Sequence, residues 1–241
     1  MRYAIISDVH SNLEAIEAVL DDITLRGIRD IIFIGDAVGY GPNPNECIAL
    51  LHDHCRVLLA GNHDWASVGL TDIRYFNEYA RHAIEWTREV LSEENKALLK
   101  TLLIVYEEKV NYMILVHSTP KAPEEWHYIL TLWDAELNFD YFTNKFCFVG
   151  HSHQPSIIEK VPSGELVTYR GKTGIKEGSR YIVNAGSVGQ PRDGDPRACY
   201  AMIDDENIGI VRIPYDITSV QAKMREERLP AVLVERLSSG T

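Results

Sequence analysis

The chain has 241 residues, of which 45% are hydrophobic, and this is enough for one α/β domain with a sizeable core. It carries 24 Lys and Arg against 35 Asp and Glu, so its net charge of -11 disfavours general binding to nucleic acids or to anionic membranes. An anionic substrate would need local positive charge, which bound divalent cations can provide.

Three further features predict a cytoplasmic protein. The first strand begins within three residues of Met1 and leaves no room for a signal peptide. No apolar run approaches the roughly 20 residues of a membrane-spanning helix, so no membrane association is expected. The cysteines have no Cys-x-x-Cys spacing, which favours reduced and buried thiols.

The first predicted element is a buried strand, the apolar run from Ala4 to Ile6. Asp8 and His10 follow it and therefore emerge together at the carboxyl end of a strand. In open α/β sheets this edge forms the crevice in which ligands bind. An acid and an imidazole at this place are candidates for a site.

A helix is predicted from Asn12 to Arg26, where apolar residues recur at helical spacing. A second apolar run, Ile31 to Ile34, ends in Gly35 and Asp36. Strand, helix and strand form a βαβ unit, so the first two strands are expected to be parallel.

The next part of the chain repeats this arrangement. A turn-rich loop over residues 37–44 leads into a predicted helix from Asn45 to His54. A third apolar run, Val57 to Leu59, is followed by the sequence Gly61-Asn62-His63-Asp64. Potential metal ligands thus follow the third strand as they follow the first two.

Residues 65–102 form the most helical part of the sequence. Aromatic and apolar side chains fall at three- and four-residue steps between Tyr75 and Val90, a pattern typical of a packed face. Alternatively, the segment 65–102 covers the site as a cap. An exposed part of the same face could also serve a homo-oligomer.

The second half is predicted to be richer in strands. Runs from Leu102 to Tyr106 and from Tyr112 to Val116 predict an antiparallel hairpin that ends in His117. The insertion 120–144 has two predicted short helices, near Glu124–Leu130 and Asp134–Phe142, and is a second candidate cap. The run Phe146 to Val149 then ends in Gly150-His151-Ser152-His153.

The remaining residues complete a second sheet and a helical tail. The predicted elements are strands at Arg180–Val183, Ala198–Ile203 and Ile208–Ile213, a helix at Ile217–Arg228, a short helix or strand at Pro230–Leu237, and a disordered end at Ser238–Thr241.

Five strand-like runs thus end in residues that can bind metals. They provide Asp8, His10, Asp36, Asn62, His63, His117, His151 and His153. This inventory exceeds what a single cation takes from a protein, since a zinc site uses three or four ligands. Two divalent cations account for it better. Nitrogen and oxygen donors without thiolate favour Mn²⁺ or Fe²⁺, with Ni²⁺, Zn²⁺ or Mg²⁺ as alternatives.

The order of these motifs resembles that of the calcineurin-like metallophosphoesterase superfamily, above all its compact single-domain bacterial and archaeal members. The resemblance spans roughly residues 1–190. It implies a single domain over residues 1–241 with a two-sheet β-sandwich flanked by helices, in four layers α/β/β/α. It also implies one cation on Asp8, His10, Asp36 and His153, and another on Asp36, Asn62, His117 and His151, with Asp36 shared.

Residues beside the cations are assigned roles from the resemblance, for His63, and from their positions in the sequence, for Asp64 and Asn12. His63, which is not a ligand in the family, would protonate the leaving group or bind a phosphoryl oxygen. Asp64 would hold the other nitrogen of that imidazole, unless it caps the following helix. Asn12 is a candidate phosphate contact, although a helix cap explains it equally well.

Arg192 is a further candidate for substrate binding. It ends the stretch 184–192, which resembles a loop that follows the last metal motif in compact members. A tight structural turn is the competing interpretation. Arg170 and Lys172 are weaker candidates of the same kind.

The expected function is hydrolysis of a small phosphomonoester or phosphodiester by hydroxide from a metal-bridging water. A pyrophosphohydrolase of the diadenosine tetraphosphate type is an alternative, and a metal-binding scaffold for protein interactions is one from a different class. The sequence after Asp36 has Ala37 where the protein serine/threonine phosphatases have an Arg, which disfavours phosphoprotein hydrolysis.

Overall fold

Two six-stranded sheets form the centre of the molecule in the computed structural model, which describes residues 2–241. Their strands are β1 (Arg2–Ile6), β2 (Asp30–Phe33), β3 (Val57–Leu58), β4 (Val105–Glu108), β5 (Met113–Val116), β6 (Phe146–Val149), β7 (Ser156–Lys160), β8 (Leu166–Tyr169), β9 (Lys172–Gly174), β10 (Arg180–Asn184), β11 (Ala198–Asp204) and β12 (Asn207–Ile213). The first sheet has the order β3-β2-β1-β11-β12-β9, and the second has the order β4-β5-β6-β10-β7-β8.

The strands that carry the candidate ligands are the parallel ones. β1 pairs in parallel with β2, and β2 with β3, while β5 pairs in parallel with β6. Parallel neighbours end at the same edge of a sheet, so the residues after them are brought together.

Helices cover both outer faces of the paired sheets. They are α1 (Leu13–Leu25), α2 (Pro44–His54), α3 (Asn62–Ser67), α4 (Glu78–Val90), α5 (Glu93–Thr101), α6 (Leu132–Asn138), α7 (Ile217–Glu226) and α8 (Ala231–Ser239). None of the helices formed by residues 2–241 combines the length and the apolar character that crossing a membrane requires.

The core reflects the two-residue period of the strands. In β1, Ile5 faces the second sheet and packs in one cluster with Phe148, whereas Ile6 faces outward and packs in another cluster with Ile16 of α1. Both faces of β1 are therefore buried, which explains its continuous apolar run. The predicted two-sheet sandwich flanked by helices is confirmed.

Two predicted features of the chain are wrong. The expected helix near residues 124–130 is only a 3₁₀ turn, Pro123–Glu125, because Ala122 and Trp126 on either side adopt left-handed backbone conformations that stop a helix. The end of the chain is ordered, since α8 runs to Ser239 and the carbonyl of Gly240 accepts a hydrogen bond from Gly194.

The aromatic stripe in residues 65–102 is packed only in part, since Trp86 lies against the cluster that contains Ala83. Ala80, Ala83 and Ile84 form the buried side of α4, while Tyr75 is 89% exposed and Tyr79 is 47% exposed. The spacing is helical, but the buried side of α4 is rotated toward Ala80 and Ile84 and leaves the tyrosines exposed.

Candidate active site

The candidate ligands converge at one edge of the paired sheets. Asp8 and His10 follow β1, Asp36 follows β2, Asn62 begins α3 after β3, His117 follows β5, and His151 and His153 follow β6. All seven side chains are buried, with exposures of 8% or less. Five separate chain segments thus build one polar cluster inside an otherwise apolar protein.

The backbone of this cluster is held in uncommon conformations. Asp8, His10, Asp36, His151 and His153 all have positive φ angles, between 48° and 64°. For a residue other than glycine such a conformation costs about 1 kcal/mol or more and persists only where the surroundings impose it. Here backbone hydrogen bonds between the turns hold it, with Asp8 donating to Gly35 at 2.9 Å and His10 to Asp36 at 3.0 Å.

Asp36 lies between two groups of side chains. Its Oδ2 is 3.6 Å from Nε2 of His10 and 3.3 Å from Nε2 of His117. Its Oδ1 accepts a hydrogen bond from the backbone of His63 at 2.8 Å, which fixes the carboxylate orientation. On one side, Oδ1 of Asp8 is 3.2 Å from Nε2 of His153.

Hydrogen bonds to backbone carbonyls set which nitrogen of each imidazole is free. His10, His117 and His153 donate from Nδ1 to the backbone carbonyls of Val38, Ile34 and Gln190, respectively. His151 donates from its other nitrogen, Nε2, to the carbonyl of Trp126. Each histidine therefore uses one nitrogen for the backbone and has the other available to the cluster. Such second-nitrogen contacts are the usual way in which proteins orient metal-binding histidines.

Divalent cations fit these residues. Oδ1 of Asp8, Oδ1 of Asn62 and Nε2 of His117 are buried without a hydrogen-bond partner. A buried acceptor without a partner costs about 1–3 kcal/mol, so three together call for a ligand that the protein itself does not supply. Candidate cation-binding groups are Asp8, His10 and His153 on one side, and Asp36, His117 and His151 on the other.

The protonation states of most of the cluster suit cation binding. Burial raises the pKa of Asp8, but the nearby His153 and His117 outweigh it and hold that pKa well below its usual range. Burial lowers the pKa of His151 to about 3, and burial together with the charge of Arg192 lowers that of His153 to about 4. Burial lowers the pKa of His117, but the Asp36 and Asp8 carboxylates outweigh it and raise that pKa to about 9. At neutral pH ionised carboxylates therefore face the neutral imidazoles of His151 and His153 and a protonated His117, which would release its proton when a cation binds.

His63 lies beside this cluster at the base of a cleft. Burial lowers the pKa of His63 well below its usual value, so its imidazole is neutral when no substrate is bound. Its Nδ1 is buried without a partner and faces Gly39, whose φ is +89°. A Cβ at Gly39 would overlap Nδ1, so only glycine fits there.

Asp64 has a structural position and does not orient His63. Its carboxylate accepts hydrogen bonds from the backbone of Asp36, Ala37 and Gly61 at 2.8 to 2.9 Å, and from Val38 at 3.2 Å. The predicted contact with the His63 imidazole is wrong, because these four donors occupy the carboxylate. Asp64 instead fixes the turn that contains Asp36. This structural role is closer to the alternative that the sequence offered, in which Asp64 caps the following helix.

The side chain of Asn12 is used by the fold. Its Oδ1 accepts the N–H of Ala15 and so caps α1, while Nδ2 donates to the carbonyl of Gly189 at 2.8 Å. With only 1% of its surface exposed, Asn12 takes the helix-cap alternative that the sequence left open.

The cleft above the cluster has a volume of about 360 Å³. Asn62, His63 and His151 form its base, and Arg192 lies in its wall. Both candidate caps contribute aromatic side chains to its other walls, Tyr75 and Phe76 from residues 65–102 and Trp126 and Tyr128 from residues 120–144, beside polar residues such as Asp72 and Glu125. Tyr128 stacks on His151 with ring centroids 4.0 Å apart.

The sequence alone did not identify Trp126 and Tyr128 as lining the site. Both lie in a stretch that was predicted to be helical, where an aromatic residue is more often packed than exposed. The one available signal was their position between two ligand-bearing strands, β5 and β6.

Comparisons with known proteins agree with this arrangement. A family model described as a calcineurin-like phosphoesterase superfamily domain matches residues 1–207. An uncharacterized protein of Methanocaldococcus jannaschii is 43% identical over 98% of this chain and 97% of its own length. The crystal structure of a metallophosphoesterase from Sphaerobacter thermophilus has a TM-score of 0.88 at 42% identity and covers 100% of this chain and 99% of that one.

A more distant structure shares the fold alone. The crystal structure of a hypothetical protein from Pyrococcus horikoshii has a TM-score of 0.79 at 18% identity, covering 100% of this chain and 98% of that chain. Both sheets and the flanking helices are thus found in proteins of very different sequence.

Proposed function

Because this chain belongs to the calcineurin-like phosphoesterase superfamily, we propose that it hydrolyses a small phosphomonoester or phosphodiester with the help of two divalent cations. The observation that carries this proposal is the position of Asp36, whose Oδ2 faces His10 on one side and His117 on the other. One carboxylate oxygen between two ligand groups is what a shared ligand of two cations requires.

The two cation sites would be built from different strand ends. Asp8, His10, Asp36 and His153 would hold one cation, and Asp36, Asn62, His117 and His151 the other. When bound, the cations would supply positive charge for the phosphoryl oxygens and lower the pKa of water enough to provide hydroxide near neutral pH. The donor set of nitrogen and oxygen favours Mn²⁺ or Fe²⁺, with Ni²⁺, Zn²⁺ or Mg²⁺ as alternatives.

His63 would act on the substrate directly. Since Nδ1 of His63 faces Gly39, Nε2 is the nitrogen available to the cleft. In its neutral form this nitrogen would hydrogen-bond a phosphoryl oxygen. A bound phosphate would raise the pKa of the imidazole, and the protonated ring would then donate its proton to the leaving oxygen.

Metal add-back tests the proposal. The protein is stripped with a chelator and assayed with para-nitrophenyl phosphate and bis-para-nitrophenyl phosphate after addition of Mn²⁺, Fe²⁺, Ni²⁺, Zn²⁺ or Mg²⁺. We expect turnover only with added metal, and the preferred ester will separate monoesterase from diesterase activity. His63→Ala should lose most turnover and keep its metal, while the exposed His52→Ala serves as the matched control.

Two results would contradict the proposal. Full turnover by the stripped protein would exclude a role for the cations. Stoichiometric metal binding without hydrolysis of any phosphate ester or pyrophosphate would favour a metal-binding scaffold for protein interactions instead.

A second candidate is hydrolysis of a nucleotide pyrophosphate bond, as in diadenosine tetraphosphate. The aromatic side chains of Tyr40, Tyr75, Trp126 and Tyr128 in the cleft walls favour it, because planar bases stack on such rings. Release of ATP or ADP from diadenosine tetraphosphate, measured beside the aryl esters, would establish this activity. Hydrolysis of the aryl esters alone would exclude it.

A further inference from the structure

A second cavity lies next to the cleft, and Arg192 forms part of the wall of both. Its volume is about 420 Å³, within the range of small-molecule sites. One wall is made by residues 154–156, which directly follow the candidate ligand His153. A molecule held at the metal cluster could therefore extend past Arg192 into this second cavity.

The second cavity has an excess of positive charge. Arg192 and Arg170 both line it, and within residues 2–241 neither side chain forms an ion pair with a carboxylate. The acid in the wall, Asp193, is already paired with Arg212. Two guanidinium groups without a carboxylate partner thus give this cavity local positive charge in a protein whose net charge is -11.

Arg192 is also held next to another arginine. Its guanidinium donates to Oε1 of Gln190 at 2.9 Å, and Arg236 of α8 approaches the same oxygen at 3.5 Å. Nε of Arg192 and Nε of Arg236 are both buried without a partner. Two like charges around one neutral amide are unfavourable unless an anion is bound nearby.

We propose that the substrate carries a second anionic group, separate from the phosphoryl group that is hydrolysed, and that Arg192 and Arg170 bind it in the second cavity. The role of the first group rests on the function proposed above. A planar guanidinium binds phosphate or carboxylate through two parallel hydrogen bonds, so either anion suits this site. The substrate class is a small phosphate ester with a further phosphate or carboxylate.

Binding of non-hydrolysable probes tests the proposal in the metal-loaded protein. Linear alkyl bisphosphonates of increasing chain length are compared with the matching alkyl monophosphonates by calorimetry. We expect at least one bisphosphonate to bind about tenfold more tightly than its monophosphonate, as a charge-assisted contact allows. Matched phosphonocarboxylates show whether the second anion is a phosphate or a carboxylate.

Variants locate the effect. Arg170→Gln and Arg192→Gln should each reduce the preference for two anionic groups, whereas Arg225→Gln, an exposed arginine outside both cavities, should keep it. Arg170 is exposed, so its variant tests the site even if Arg192→Gln fails to fold, which thermal unfolding would reveal.

Two outcomes would overturn the proposal. In the first outcome, neither the bisphosphonates nor the phosphonocarboxylates of any chain length bind more tightly than the matching monophosphonates. In the other, a preference exists but both arginine variants retain it. Since phosphonates are not hydrolysed, the binding result stands even if the aryl esters are not turned over, and the two proposals can fail separately.

Discussion

Two buried carboxylate sites in this protein have opposite surroundings. Glu159 is fully buried and satisfied, since Ser179 and Lys176 donate to it at 2.7 Å and Tyr169 at 2.8 Å. Asp8 is equally buried, yet its Oδ1 has no hydrogen-bond partner and faces the imidazole of His153. The hydrogen bonds of Glu159 are all made within the protein, whereas Oδ1 of Asp8 is available to a ligand.

This difference in hydrogen bonding indicates that Glu159 contributes to the stability of the fold and Asp8 to function. A buried acid whose oxygens are all paired contributes to the fold, so its removal should lower stability. A buried acid that lacks partners costs stability until a cation arrives. Variants at the two sites should therefore affect different measurements, and a variant that affects both would weaken the distinction.

The largest expected effect is that of Asp36→Asn. Loss of the carboxylate that we propose two cations share should reduce metal-dependent turnover by at least about 10³-fold and lower the bound metal content. Without metal, its thermal stability should change little, because the amide oxygen of Asn can still accept the hydrogen bond from the backbone of His63. Metal analysis and thermal unfolding, with the exposed Asp53→Asn as the control, test this. A large loss of metal-free stability would show that Asp36 is chiefly structural.

Gly39→Ala should have the next largest effect. The added Cβ would overlap Nδ1 of His63 and displace the imidazole, so we expect turnover to fall by about 10- to 100-fold with the metal retained. Gly69→Ala is a matched control, since Gly69 has a similar φ of +79° and no atom beyond its chain neighbours lies within 4 Å of the Cβ that alanine would add. Equal losses in both variants would attribute the effect to backbone strain instead of to His63.

The convergence of the candidate ligands was predictable because each depends on local sequence. A short apolar run followed by Asp, Asn or His identifies a strand end, and parallel pairing brings such ends together. Asp64 was misassigned because its four backbone donors come partly from residues 36–38, which are distant in sequence. Hydrogen bonds between segments that are distant in sequence leave no recognisable pattern in the residues next to Asp64.

The walls of the site could not be predicted for a related reason. Trp126 and Tyr128 reach the cleft because Ala122 and Trp126 adopt left-handed conformations, which no residue type there demands. Likewise, Arg170 and Arg192 share a cavity only because the β8–β9 turn and the loop after β10 meet in the folded protein. These positions depend on tertiary packing.

Glu159→Gln should lower stability and leave turnover unchanged. Loss of the charge-assisted hydrogen bonds should reduce the free energy of unfolding by about 1–3 kcal/mol. Burial raises the pKa of Glu159, but hydrogen bonds from Lys176, Ser179 and Tyr169 outweigh it and lower the pKa from 4.5. The native protein should therefore lose this stabilisation as the pH falls through that lowered pKa, and the variant should lack this part of the pH dependence.

Chemical denaturation at several pH values measures this contribution. Glu165→Gln, an exposed acid in the turn after β7, is the control. Reduced turnover of Glu159→Gln at full folding would link this cluster to the active site and remove the contrast between the two buried acids.

The smallest expected effect is that of Tyr128→Ala. This variant tests the role of the cleft wall in substrate binding and leaves the candidate metal ligands unchanged. Tyr128 is 47% exposed and stacks on His151, so its loss should leave metal binding intact. If the ring also contacts the leaving group, the KM for an aryl ester should rise several-fold, as the loss of about 1 kcal/mol of stacking implies, with little change for an alkyl ester. Tyr141→Ala, at 51% exposure outside the cleft, provides the comparison. Equal effects on aryl and alkyl esters would show that Tyr128 only positions His151.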